Sequence, residues 1–342
     1  MTRGFRRRSQ RAAVRKQPKR GRGRYAFVAA LLLFGLGALI FAGPGPAARK
    51  GTATTVNLPS GQGVVALGQT LERAGVIRSG PVFVAFAEIS GAGHALKAGE
   101  YAFASGLSLL GVLDRIRHGE VVRHFITIPE GLSSAAVADI LRQADYLSGP
   151  ERPAPEGALL PETYEARRGD TRQATQDRMM AARDALLDTL WRNRAPGLPY
   201  RSLEQAVILA SVVEKETAKV EERPRIAAVF INRLAKGMRL ESDPTVIYGL
   251  TGGRPLGHGL RASELAAATP FNTYRIAGLP PTPIGNPGRA ALAAALRPAS
   301  TDALYFVADG TGGHVFAASF EAHRRNVAAW RALERARSRR AG

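Results

Sequence analysis

Two carboxylates, Glu214 and Glu216, close one of the most apolar stretches of this 342-residue chain. The stretch reads LEQAVILASVVEKET and starts behind Ser202, which has the capping-box spacing with Gln205. It is apolar on nearly every face through Val213, which predicts a buried helix. Leu209, Val212, Val213 and Glu216 share one face, so Glu216 continues the core-facing stripe. Glu214 follows the Val207 and Ala210 side, nearer the flank. A carboxylate over an apolar stripe, at the negative end of a helix dipole, is disfavoured as an anion. Both effects raise its pKa and suit a general acid working near neutrality. A structural salt bridge from Glu216 to Lys219, Arg225 or Arg233 is the competing reading, and the spacing leaves both open.

Further along, Asp243-Pro244-Thr245 reads as an N-cap followed by proline at the first helical position, with Val246, Ile247 and Tyr248 continuing the turn. As a cap Asp243 needs no catalytic role; as a second acid it is a substrate-side candidate. Thr269-Pro270-Phe271-Asn272-Thr273-Tyr274 precedes a Pro/Gly-dense run from Gly278 to Gly288 that includes Asn286. Few conformations are open to such a run, so it predicts a rigid, shaped loop. Leu304–Ala308 reads as a buried strand turning through Asp309–Gly313 into a second strand, with His314 near the bend.

The elements that must position these groups follow from periodicity. Pro224 opens a helix with Ile226, Val229, Phe230 and Leu234 on its apolar stripe and Gly237 as its stop. Met238–Ser242 reads as extended. Upstream, Val64–Ala74 and Leu109–Ile116 have helical spacing, Lys97–Tyr101 turns into a short strand, and Val121–Ile128 is rich in β-branched residues. A helix over Ser133–Gln143 follows the Pro129-Glu130-Gly131 turn. The fold class is α+β: a small module over 60–120, then a mixed α/β domain over 121–335. Residues 44–59 read as a linker. Before it, the uncharged run 25–43 is about 28 Å long as a helix, close to the thickness of a bilayer core. Eleven Arg and Lys and no acid precede it in residues 1–24. That pattern predicts a single-pass anchor with a cytoplasmic basic tail and everything after Gly43 outside, a retained anchor being preferred to a cleaved signal peptide.

Several chemistries are excluded. There is no cysteine, hence no disulfide, thiolate metal site or cysteine nucleophile. No Gly-Lys dipeptide, HExxH or GxSxG occurs, and the six histidines lack metal-ligand spacing, so no metal or cofactor is expected. Ser211 and Lys215 are four apart, but the flanking glutamates hold Lys215 charged and unfit as a base. The net charge of +20 suggests nucleic acid at first. Eleven of those charges sit in the tail, leaving nine over the other 318 residues, and no aromatics interleave with arginine. No nucleic-acid partner is expected.

Five words taken together are distinctive: GALLPETYEARRGDT at 157–171, ILASVVEKET at 208–217, RIAAVFINRLAKGMRLESDPTVIYGL at 225–250, FNTYRIAGLPPTPIGNPG at 271–288 and LYFVADGTGGHVF at 304–316. The chain resembles the endolytic murein (lytic) transglycosylases of the MltG/YceG-like family, from the anchor to about residue 330. One departure is Phe271, where the family usually carries Tyr; without the hydroxyl, this ring is left to pack or stack.

The resemblance implies an enzyme of the cytoplasmic (inner) membrane, its catalytic domain outside, cutting nascent peptidoglycan glycan strands and meeting peptidoglycan synthases or division and elongation proteins. It implies a LysM-like subdomain over 60–120. It places the catalytic glutamate in EKET, carried here to Glu216, with Glu214 the alternative. Asp243, Thr245, Tyr248, Asn272, Thr273, Tyr274, Asn286 and His314 are the substrate-side residues so implied. Within enzymes the rival is a muramidase with Asp243 as the base for water. Outside them it is a non-catalytic, glycan-binding assembly protein.

Overall fold

The computed structural model describes residues 22–341; residues 1–21 and 342, and with them most of the expected basic tail, lie outside the described residues. Two compact units meet in sequence between Val122 and Arg123.

In the first, α1 (Arg22–Ala42) precedes β1 (Ala53–Leu58), α2 (Val64–Arg73), α3 (Gly80–Ile89), β2 (Gly99–Ala104) and α4 (Leu109–His118). β1 and β2 pair antiparallel from Ala53 opposite Ala104 to Leu58 opposite Gly99. Residues 53–58, expected as linker, are therefore a strand. The threonines and Val56 favour it, and strand alternation drives Val56 and Leu58 into the core. There they meet Leu71, Phe83, Tyr101, Phe103 and Ile116. The α1 helix is 21 residues long and exposes Tyr25, Phe27, Leu32 and Leu39. The side chains of Ala26, Ala30, Leu33, Phe34 and Ala38 lie outside the described residues. Among the described residues no helix is long and apolar enough to cross a membrane. The span expected over 25–43 is thus not found among the described residues.

The second unit runs β3 (His124–Thr127), α5 (Ser134–Gln143), β4 (Thr163–Ala166), α6 (Arg172–Arg192), α7 (Leu203–Glu216), a 3-10 turn (Val220–Glu222), α8 (Arg223–Ala235), α9 (Asp243–Thr251), α10 (Ala262–Leu265), α11 (Arg289–Leu296), β5 (Tyr305–Ala308), β6 (His314–Ala317) and α12 (Phe320–Ala341). β3 pairs antiparallel with β4, and β5 with β6. The result is a mixed α+β fold in which helices outnumber short two-stranded ladders. β3 is shorter than the Val121–Ile128 run expected, and Met238–Ser242, expected as extended, belongs to no ladder.

The all-round apolar character of α7 is met by burial from Ala206 through Glu214. Leu209, Val212 and Val213 pack with Ile226 and Phe230 of α8, while Val207 and Ala210 pack with Ala291 and Ala295 of α11. Sandwiched in this way, the helix delivers its C-terminal carboxylates to a fixed place. The Pro/Gly run is fixed by Asn286, which has no exposed surface. Its Oδ1 accepts from Leu159 N–H at 2.9 Å, and its Nδ2 donates to Leu132 O at 2.9 Å and Ser134 Oγ at 3.2 Å. Its backbone pairs with Gly131 and Leu132. Against the sugar-side role expected of Asn286, every polar atom of its amide is engaged in joining three loops. Asn286→Ala is expected to strand buried backbone groups and cost about 2–4 kcal/mol, read as a fall in the denaturant midpoint of unfolding.

Candidate active site

Helix α7 ends where Thr217 takes up extended backbone, at φ −144 and ψ 136. The two carboxylates just before that break have opposite surroundings. Glu214 is buried; Arg223 Nη2 donates to its Oε1 at 2.5 Å and Gly288 N–H to its Oε2 at 2.9 Å. The same guanidinium, itself buried, reaches Glu130 Oε2 at 3.0 Å through Nη1. Burial pushes the Glu214 pKa up, against the opposing pull of the Gly288 N–H and the Arg223 charge. The flank position expected for Glu214 is thus corrected: α8 and the loop before α11 cover that side of the helix.

Glu216 has no cationic partner among the described residues. Arg225 instead lies 4.1 Å over the Phe316 ring, and Arg233 pairs with Glu241. Among the described residues, the one hydrogen bond to the Glu216 carboxyl comes from Ser242, whose Oγ donates to Oε1 at 2.5 Å. Loss of water pushes the carboxyl up to about 7, the Asp243 charge adds to the rise, and the Ser242 bond opposes it. A group so tuned holds its proton close to neutral pH and can both give and regain it.

Ser242, not Asp243, precedes α9 as its N-cap; Asp243 is the first helical residue, exposed, and accepts from Tyr274 O–H at 2.7 Å. Burial and then that bond push the Tyr274 hydroxyl up. Glu216, Ser242, Asp243 and Tyr274 therefore form one cluster. The remaining expected residues divide sharply. Thr245, Asn272 and Thr273 have no exposed surface. Asn272 spends its amide on Leu265 O, Ala267 O and the Tyr274 N–H, which sets the Tyr274 backbone but presents nothing to a sugar. Thr245 and Thr273 bond to each other and to the Ser242 backbone. Tyr248 packs against Phe271 with ring centroids 4.9 Å apart, and burial pushes its hydroxyl up to about 12. His314 is paired through Nδ1 with Glu222 Oε2 at 2.7 Å, and Glu222 also accepts the His314 N–H, so the structure does not bring it to the cluster.

The second unit also carries a groove of about 860 Å³, lined among others by Leu132, Ala136, Lys215, Pro244, Tyr248 and Leu256. Lys215 and Pro244 are chain neighbours of Glu216 and Asp243, which do not themselves line it. Among the described residues no group of three His, Asp or Glu is placed to hold a metal.

A family model described as YceG-like matches residues 56–329. The chain belongs to the YceG-like family. Its relatives in two Streptococcus pneumoniae strains, each named endolytic murein transglycosylase, are 31% identical over 80% of this chain and 58% of their own length. This chain thus spans little more than half of those relatives. A Bacillus subtilis protein of the same name is 30% identical over 80% of this chain and 83% of its own. The crystal structure of a yceG-like protein from Listeria monocytogenes, 28% identical, superposes with a TM-score of 0.50 over 81% of this chain and 99% of that one.

Two residues of this YceG-like site escaped the sequence reading, Ser242 and Arg223. The signal for Ser242 was its place immediately before Asp243-Pro244 at a helix start. For Arg223 there was none, because an arginine beside Pro224 reads as a solvated first turn. Arg223→Ala is expected to leave the Glu214 charge buried without its cation and to cost about 3–5 kcal/mol by thermal or denaturant unfolding. The double variant Arg223→Met with Glu214→Leu should recover part of that loss, which identifies the pair as structural.

Proposed function

We propose that this chain cleaves peptidoglycan glycan strands internally as a lytic transglycosylase, with Glu216 as general acid and then general base. The observation that carries the reading is a carboxyl held close to neutral pH, with no cationic partner among the described residues, clustered with Ser242, Asp243 and Tyr274. Names of the family relatives support the substrate class. Protonated Glu216 donates to the glycosidic oxygen between N-acetylmuramic acid and N-acetylglucosamine as the C1–O bond breaks. The Asp243 carboxylate next to it lowers the energy of the positive, oxocarbenium-like centre. The muramoyl 6-hydroxyl then attacks C1, and its proton passes to the Glu216 carboxylate. A 1,6-anhydro ring closes, no water is consumed and Glu216 regains its starting state. Tyr274, held by Asp243, offers a ring face to the sugar.

Asp243 also supports a second reading, hydrolysis with Asp243 activating water, since two carboxylates flank the same place. The first unit, with its two-stranded ladder and helices, reads as a LysM-like module that holds the strand. The apolar run 25–43, basic in front and exposing Tyr25, Phe27 and Leu39, reads as a membrane anchor that keeps the second unit on the extracytoplasmic side.

The full-length protein in lipid vesicles, incubated with nascent glycan strands, is expected to release anhydromuramoyl ends detectable by mass spectrometry. Glu216→Gln should lower the rate by roughly 10²–10⁴. Reducing ends in place of anhydro ends would transfer the reading to hydrolysis. Because the acid must carry its proton in the free enzyme, kcat/KM should fall as pH rises through about 7.

A further inference from the structure

We propose that Ser242 is the positioning residue of Glu216: its hydroxyl fixes carboxyl oxygen Oε1, so that the transferable proton is carried on Oε2. The inference rests on reading Glu216 as the acid. Ser242 Oγ donates to Oε1 at 2.5 Å, and Oε2 has no hydrogen bond from the described residues. A carboxyl has two oxygens of equal basicity in water, and an acid that donates from the wrong one is misaligned with its substrate. A donor held on one oxygen removes that ambiguity, because the neutral carboxyl then offers its lone pairs to the serine and its proton from the other side.

The device works only if Ser242 is itself immobile, and its backbone is fixed by a closed ring of hydrogen bonds. Ser242 N–H donates to Thr273 Oγ1 at 3.0 Å. Thr245 Oγ1 donates to Ser242 O at 2.6 Å, and the two threonine hydroxyls lie 2.8 Å apart. Each hydroxyl has one proton. Since the Thr245 proton is committed to Ser242 O, the Thr273 proton completes the ring by going to Thr245 Oγ1. All the participants are buried. The ring consumes the Ser242 backbone groups and leaves its side-chain hydroxyl free to face Glu216. Immediately before it, Glu241 has φ 55, the one positive φ outside glycine among the described residues. Its N–H bonds to Thr273 O at 3.2 Å and its carboxylate to Arg233 at 3.0 Å, which hold that unfavourable turn in place.

A hydroxyl suits the task where a cation would not. Arg223 on Glu214 stabilises the anion outright, whereas Ser242 orients Glu216 with a smaller bias toward ionisation.

The test uses the full-length protein as wild type, Ser242→Ala, Ser242→Thr, Thr245→Val and Glu216→Gln, with pH–rate profiles and with the Glu216 carboxyl titrated by side-chain ¹³C NMR. In Ser242→Ala the Glu216 midpoint should rise by roughly one pH unit, the alkaline limb of kcat/KM should move up with it, and kcat should fall about 10- to 100-fold with KM little changed. Ser242→Thr should restore the wild-type limb. Thr245→Val, which keeps the shape but opens the ring, should move the midpoint in the same direction by less and serves if Ser242→Ala does not fold. A midpoint that stays or falls in Ser242→Ala, or a loss confined to KM, overturns the proposal. An active Glu216→Gln would overturn the acid assignment instead, and the NMR midpoint would still report whether Ser242 governs that carboxyl.

Discussion

A carboxyl group taken out of water must find a cation, enough donors, or a proton. Helix α7 sets that condition twice within one turn, and its two glutamates meet it differently. Glu214 has Arg223 and the Gly288 N–H, so its charge is compensated and its geometry ties α7 to α8 and to the loop before α11. Among the described residues Glu216 has one hydroxyl and no cation, so it holds its proton up to about pH 7. The first arrangement is costly to build and of little use to chemistry, but it locks the helix end. The second would collapse into an ordinary surface salt bridge if that helix end could move. The surroundings of Glu216 therefore depend on the rigidity supplied at Glu214.

The same logic extends to the loops. A site between helices is bounded here by irregular backbone, and buried loop backbone has polar groups that no ladder satisfies. Asn286, Asn272, Thr245 and Thr273 are buried side chains whose amides and hydroxyls meet that demand. Gly157, Pro283 and Gly285 allow the close approach this requires: a Cβ on Gly285 would stand 2.7 Å from Gly131 O. The Pro/Gly content of the 278–288 run thus expresses packing of backbone on backbone, with asparagine as the connector.

What was legible in the sequence follows the strength of the local signal. Helices α2, α4, α5, α7 and α8 were readable because their apolar residues recur at helical spacing, and the β5–β6 hairpin because apolar runs flank a Gly-rich turn. β1 was missed since Pro, Gly and Ala around it look like linker, and its pairing partner lies over forty residues away. Helix periodicity placed Glu216 on the core-facing stripe but misplaced Glu214, because spacing records neighbours on one helix and not what α8 lays over it. The motif words had a different limit. They marked Thr245, Asn272, Thr273 and Asn286 as firmly as Asp243 and Tyr274, although only the last two present polar atoms beside Glu216. A motif gathers everything a site cannot lose, scaffolding included, and burial is what separates the two.

One carboxyl that serves as acid and then as base has a narrow working range. If its pKa were far below ambient pH there would be no proton to give, and far above it the conjugate base would be too strong to release the proton again. Burial alone drives Glu216 upward without an upper stop, and the Asp243 charge drives it further. Asp243 cannot be dispensed with if it also stabilises the cationic sugar centre, so the counterweight must come from elsewhere and must not be a charge. A single neutral donor, anchored by a ring that uses no charged group, satisfies that requirement. The SDPT turn is therefore a compact solution to a balance in which desolvation and a neighbouring anion push one way and a fixed hydroxyl pulls the other.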